Sequence, residues 1–230
     1  MVNLIEIEKK YPNKIKPEGF LEIYDKYFKD YQDKEIKILE IGVDKGESLR
    51  VWREYFSKAI ICGLDIDKKD FEIENVDIIV GDQSNLDILT KIVSKYGSFD
   101  IIIDDGSHRN EHVIKSLEYL FDYLNYDGFY IVEDLQTSYF PRYGGSRYNL
   151  LKGATSMNYI KSMTDSINYE QNDKPFYKKK KYDGIIKYVH FYQNLVVIKK
   201  GKSAKLYYKD SIKQNSLIEA LKKFISYFYR

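Results

Sequence analysis

Two short stretches hold the residues best suited to chemistry. One is Asp104-Asp105-Gly106-Ser107-His108, closing the run "FDIIID" (99–104), and the other is Glu133-Asp134, closing "GFYIVED" (128–134). Adjacent carboxylates repel each other and resist desolvation, so a fold has no structural need to crowd them at a strand end. If the two strands are neighbours, Asp105, Glu133 and Asp134 converge on one small volume. A hard divalent cation with oxygen ligands would relieve their repulsion. His108 follows three residues after Asp105, and an unperturbed imidazole, with a pKa near ~6.5, suits proton transfer near neutral pH. In the plainer alternative, Glu133-Asp134 only caps the next segment and His108 bonds to backbone in a turn.

Three further signals lie at strand ends. "LEIGVDKGE" contains Glu40, Gly42 and Gly46, whose glycines allow a tight turn and close approach to a ligand. Glu40 could accept hydrogen bonds from an ammonium group or order the loop. Asp65, in "GLDID", lies about 20 residues past that loop, where an acidic side chain can grip ribose hydroxyls. Asp82 in "GDQSN" could bond an exocyclic adenine amine, with Gln83 beside it; alone, Asp82 is equally a turn residue. In correct order, the three point to an adenosine-bearing ligand. Neither GxGxxG nor GxxxxGK[ST] is present, which disfavours dinucleotides and nucleoside triphosphates. Glu40 would repel a pyrophosphate and suit a cationic amino-acid group.

Positioning these residues requires strands that alternate with helices. Short apolar runs at 36–42, 59–66, 76–82, 99–104 and 128–134 predict five strands. Helical spacing marks 17–31, 48–56, 86–97 and a segment with Val113, Leu117, Leu120, Phe121 and Leu124 on one face. This alternation predicts an α/β, Rossmann-like, doubly wound and mostly parallel sheet, buried on both faces. Two more strands joined around Gln193-Asn194 predict an antiparallel hairpin, giving seven strands, with a last helix at 216–228. One domain is expected over 1–230: a helical cap to 35, a ligand-binding core at 36–140, a lid or acceptor-binding insertion at 141–183, and the hairpin with its helix at 184–230. Tyr139, Tyr143, Pro141 and Gly144-Gly145 would begin that lid. A helix is expected around 154–167.

Bulk composition narrows the function classes. With 37 basic and 35 acidic residues, the net charge of +2 gives no global field to gather nucleic acid. The one dense basic run, Lys178 to Lys181, is an ordinary solvated loop unless it folds over the site. No apolar run approaches the ~20 residues that span a bilayer, and the N-terminus carries charges where a signal peptide needs an apolar core. A soluble, cytoplasmic chain is expected. The single Cys62 forbids an internal disulfide and lies inside a strand, as a core residue rather than a nucleophile. His112 and His190 read as structural.

"LEIGVDKGESLRVWREYF", "IDDGSHRNEH" and "IVEDLQTSYFPRYGG" closely resemble the class I S-adenosylmethionine-dependent, metal-dependent O-methyltransferases that act on macrolide sugars, a group that includes cephalosporin-hydroxylase-like proteins. The resemblance spans roughly residues 11–145. It implies Mg²⁺ (Mn²⁺ as the alternative) held by Asp105, Glu133 and Asp134, with His108 as general base. It also implies S-adenosylmethionine contacts at Glu40, Gly42, Asp65, Asp82 and Asp104, beside those expected at Gly46 and Gln83. Two departures stand out: Glu18 and Phe20 replace a histidine and a tyrosine common in that group, and Glu47 replaces a second glycine.

The expected function is therefore O-methylation of a sugar hydroxyl chelated by the metal and deprotonated by His108. The acceptor would be a natural-product glycoside or, if the lysine run covers the site, a nucleotide-activated sugar such as a capsule or lipopolysaccharide precursor. Neither nucleic acid nor membrane is an expected partner, and the resemblance is compatible with a homo-oligomer. The competing expectations are a non-catalytic S-adenosylmethionine-binding protein and a methyltransferase for another small molecule. RNA methylation is disfavoured by charge.

Overall fold

A computed structural model describes residues 2–12, 14–148, 154–171, 177–202 and 224–227. Its seven strands are β1 (Lys37–Ile41), β2 (Ile60–Asp65), β3 (Val76–Val80), β4 (Phe99–Asp104), β5 (Leu124–Val132), β6 (Ile186–Tyr192) and β7 (Leu195–Lys200). They form one sheet in the order β3-β2-β1-β4-β5-β7-β6. The first five are parallel and β7 runs antiparallel to both β5 and β6. The expected fold is present, and the two-residue turn at Gln193-Asn194 closes the hairpin. Strand order reverses between β1 and β4, the place where open α/β sheets bind ligands beyond their carboxyl ends.

Both faces of the sheet are covered. Alternate strand residues divide between two apolar layers, as the period of two requires. Ile38, Ile61, Ile101, Ile103, Phe129 and Ile131 face helices α1 (Leu4–Glu8), α2 (Phe20–Phe28) and α3 (Glu47–Tyr55). Leu39, Cys62, Leu64, Ile102, Tyr130 and Val132 face α4 (Leu86–Tyr96), α5 (Asn110–Leu120) and α6 (Ser156–Met163). Trp52, Tyr24, Phe28 and Phe56 are fully buried in the first layer. Each such side chain contributes about 1.5–3 kcal/mol of transfer free energy. Cys62 is buried in the second layer, as expected of a core thiol.

Local sequence sets the helix ends. Asn85 caps α4 by accepting the Asp87 N–H, and Gly97 ends it at φ +74°. The largest boundary differences from the sequence expectation lie at the α5–β5 junction, and β5 ends at Val132, before Glu133 and Asp134. Leu124, counted on a helix face, is instead the first residue of β5 and pairs with Phe99; α5 stops at Leu120 and a 3₁₀ turn at Phe121–Tyr123 carries the chain back to the sheet. The short α1 was not anticipated, because only Leu4 and Ile7 of it are buried. The expected helix at 154–167 is present as α6, continued by a 3₁₀ segment at Thr164–Gln171. Of the expected final helix, residues 216–223 and 228 lie outside the described residues, and 224–227 are helical. No described helix is long and apolar enough to cross a membrane.

Candidate functional site

The loops after β1, β2, β3 and β4 enclose a cavity of about 690 Å³, within the range of small-molecule sites. One wall consists of Gly42–Lys45 with Asp65, Ile66 and Asp67; the other runs from Asp105 to Arg109 and includes His112. Gly81, Asp82 and Gln83 close the end. Gly42 has φ +90°, and a Cβ there would collide with the Asp105 main-chain carbonyl. Only glycine lets the β1 loop pass so close to the β4 loop.

Asp65 shapes this wall. Its Oδ2 accepts the N–H groups of Val43 (2.8 Å) and Asp44 (3.0 Å) and pairs with Lys69 at 2.9 Å, while Oδ1 accepts Asp67 N–H at 2.9 Å. Burial works to raise its pKa, but the Asp67, Lys69, Val43 and Asp44 hydrogen bonds outweigh it and hold the carboxyl below the usual range. Oδ1 keeps accepting capacity toward the cavity. Ile66, beside it, is 66% exposed and offers an apolar surface that sequence reading passed over. Asp82 lines the cavity, and its Oδ1 also accepts Ser84 N–H at 2.7 Å, so it is a turn residue in any case.

The adjacent pair Asp104 and Asp105 divides between the two faces. Asp104 follows Ile102 onto the α4/α5 side, where Ser116 Oγ (2.6 Å) and Gln83 Nε2 (3.0 and 3.2 Å) hold it. Burial raises its pKa. Gln83 Oε1 in turn accepts Ser107 N–H at 2.7 Å, linking the β3 and β4 loops. Glu40, Gly46 and Asp104, three of the residues expected to contact a cofactor, lie behind the cavity wall rather than on it. Their observed contacts are structural. Ser48 Oγ donates to Glu40 at 2.9 Å, which orders the loop, and Gly46 at φ +73° opens α3 against the Phe71 ring.

Asp105 follows Ile101 and Ile103 onto the other face, as Glu40 follows Ile38 and Glu133 follows Phe129 and Ile131. Three carboxylates therefore end neighbouring strands on one side. Between them stands Lys16, absent from the sequence-derived candidates. Its Nζ lies 2.6 Å from Asp105 Oδ2, 2.8 Å from Glu133 Oε1 and 3.4 Å from Glu40 Oε1. Burial opposes the charge on Lys16, but Glu133, Asp105 and Glu40 outweigh it and raise the pKa well above that of an ordinary lysine. Tyr24 also donates its hydroxyl to Glu133. Burial raises the Glu133 carboxyl pKa, with Lys16 pulling the other way.

Asp134 departs in a different direction, because its φ of +53° turns the chain out of the β5 line. Its Oδ2 lies 3.4 Å from His108 Nε2. His108 is itself left-handed at φ +54°, an uncommon backbone for a non-glycine residue and one that clusters at functional sites. Single ligand atoms of Asp105, His108 and Asp134 all lie within 4.8 Å of one another, and all three side chains are partly exposed. Of the expected metal trio, the structure joins Asp105 and Asp134 with His108, and joins Asp105 and Glu133 through Lys16. Oxygen donors beside an open cavity fit a hard divalent ion that keeps some of its waters.

Tyr143 approaches His108, ring centroids 6.4 Å apart, and thus belongs to the site's rim. Its loop is held by Asn110, which donates to Tyr143 O at 2.9 Å and accepts from Ser138 Oγ (3.0 Å) and Ser156 N–H (2.7 Å). His112 Nδ1 meets Ser107 Oγ at 3.1 Å, and His190 Nδ1 meets Tyr27 Oη at 2.7 Å; both have structural partners. Of the lysine run, Lys181 is turned away from the site. Lys181 pairs with Asp122 at 2.9 Å and bonds Glu118 O, at the far end of α5 from His108. Eleven residues of α5 separate those ends by roughly 16 Å.

Comparison with known proteins agrees with this architecture. No family model matches the chain. Demethylmacrocin O-methyltransferase of Streptomyces fradiae is 38% identical over 187 residues, 77% of this chain and 47% of that protein. Mycinamicin VI 2''-O-methyltransferase of Micromonospora griseorubida is 36% identical over 193 residues, 78% of this chain and 47% of that protein. Among solved structures, the MycE methyltransferase of the mycinamycin biosynthetic pathway, in complex with Mg and SAH, superposes with a TM-score of 0.84 at 33% identity, covering 96% of this chain and 60% of that one. This chain thus spans about half the length of the curated relatives it matches. It belongs to the family of metal-dependent, S-adenosylmethionine-dependent sugar O-methyltransferases.

Proposed function

We infer that this chain transfers a methyl group from S-adenosylmethionine to a sugar hydroxyl of a natural-product glycoside, with Mg²⁺ at the junction of the β4 and β5 loops. The observation that carries this assignment is the convergence of ligand atoms of Asp105, His108 and Asp134 within 4.8 Å, beside the cavity that Asp105 and His108 line. The relatives' own names support the acceptor class, since they are methyltransferases for macrolide and rhamnosyl tetracenomycin glycosides.

Gly42, Asp65, Ile66, Asp82 and Gln83 would hold the cofactor: Asp65 through a ribose hydroxyl on its free Oδ1 capacity, Ile66 against an adenine face. Glu40, Gly46 and Asp104 support that wall from behind. Asp105 and Asp134, with Glu133 at the inner side, would hold the metal. A bound Mg²⁺ would orient two sugar hydroxyls and make one of them more acidic. A hard cation prefers oxygen, so His108 is left free to act on protons. Its imidazole would take the hydroxyl proton as that oxygen attacks the sulfonium methyl, releasing S-adenosylhomocysteine. Asp134, 3.4 Å away, would orient the ring. Most of the remaining acceleration comes from holding methyl and oxygen in line.

Tyr143 and the turn at Pro141–Tyr143 would form part of the acceptor's wall. A nucleotide-linked acceptor loses the support of Lys181, which pairs with Asp122 in the turn after α5. The experiment is methyl transfer from labelled S-adenosylmethionine to macrolide glycosides and, in parallel, to nucleotide sugars. Transfer to a glycoside that falls at least 100-fold with EDTA and returns with Mg²⁺ is the expected result. Turnover indifferent to chelation would exclude the assignment.

A further inference from the structure

Lys16 takes no part in the transfer just described, yet it is placed against its metal site. It comes from the segment between α1 and α2, its side chain is 3% exposed, and it forms part of the cavity wall. Among the described residues, the two other buried lysines, Lys199 and Lys200, bond main-chain carbonyls. Lys16 bonds carboxylates instead, and two of the three belong to the expected metal trio.

We propose, resting on the metal assignment above, that Lys16 is a built-in counter-cation: its ammonium holds Asp105 and Glu133 when no divalent ion is bound and gives them up when one arrives. Charge supplies the first reason. Glu40, Asp105 and Glu133 end adjacent strands on one buried face, and three uncompensated anions there would be costly. The second reason is space. Mg²⁺ bonds oxygen at ~2.0–2.1 Å, whereas the ammonium already stands 2.6 and 2.8 Å from the same two side chains. A divalent ion sharing those oxygens would face a like charge in near contact, with little water to screen it. The third is the exit: Lys16 borders the cavity, so open volume lies beside its side chain.

In this scheme metal affinity reflects an exchange of cations rather than the filling of an open cage. Lys16→Met preserves length and removes the charge. Titrating Mn²⁺ into the metal-free protein by calorimetry, without cofactor or acceptor, should then give binding at least tenfold tighter than wild type. Equal or weaker binding would overturn the exchange and leave the metal assignment standing, whereas no binding by either protein would remove both. Should the variant not fold, the wild type decides. A slowly exchanging Lys16 ammonium signal in ¹H–¹⁵N spectra should vanish on saturation with Mg²⁺, and its persistence beside the bound ion would overturn the proposal.

Discussion

Asp104 and Asp105 illustrate how one peptide step separates two functions. Identical side chains, one residue apart, face opposite sides of a strand. Ser116 and Gln83 fix the first behind the cavity, while the second opens toward His108 and Asp134. Period-two alternation was legible in "FDIIIDD", so the division could have been read from sequence; the partners could not. Lys16 is the clearest case. Between Ile15 and Pro17 it looks like any loop lysine, and its partners Glu40 and Asp105 are 24 and 89 residues away. At this scale the base assignment is testable. His108→Ala should lower kcat by roughly 10²–10⁴-fold, the usual worth of a general base, while cofactor affinity stays within about twofold. Unchanged turnover would exclude His108 as the base, and lost cofactor binding would place it in the cofactor wall instead.

At the scale of elements, the N-terminus of α5 does more than start a helix. Asn110, 1% exposed, ties four elements together: α5 itself, the turns at Leu135–Tyr139 and Pro141–Tyr143, and the first residue of α6. An Asn at a helix start is unremarkable in sequence. Its partners Ser138 and Ser156 are 28 and 46 residues distant, which is why local pattern missed it. Asn110→Ala would leave several buried polar groups unpaired, costing roughly 2–3 kcal/mol, or about 5–10 °C in Tm for a chain of this size. Because Tyr143 stands on this anchor, KM for the acceptor should rise more than KM for S-adenosylmethionine. Melting curves and paired kinetics check both; equal shifts in the two KM values would mean the anchor serves the whole fold rather than the acceptor side.

Across the whole molecule, the site exists because β1, β4 and β5 are neighbours. The strand-helix rhythm made the parallel sheet legible, and the Gln193-Asn194 turn made the hairpin legible, since both are local patterns of apolar spacing and turn residues. Convergence itself is non-local: Glu40, Asp105 and Glu133 meet only after the chain has crossed from the β3 edge back to the middle of the sheet. Sequence analysis named all three without showing that a lysine would stand between them. A crystal soaked with Mn²⁺ and S-adenosylhomocysteine, measured by anomalous scattering, tests the central claim most directly. The expected result is one strong peak within bonding distance of the Asp105 and Asp134 carboxylates, at the edge of the cofactor cavity. No peak there, or a peak only elsewhere on the molecule, would contradict it.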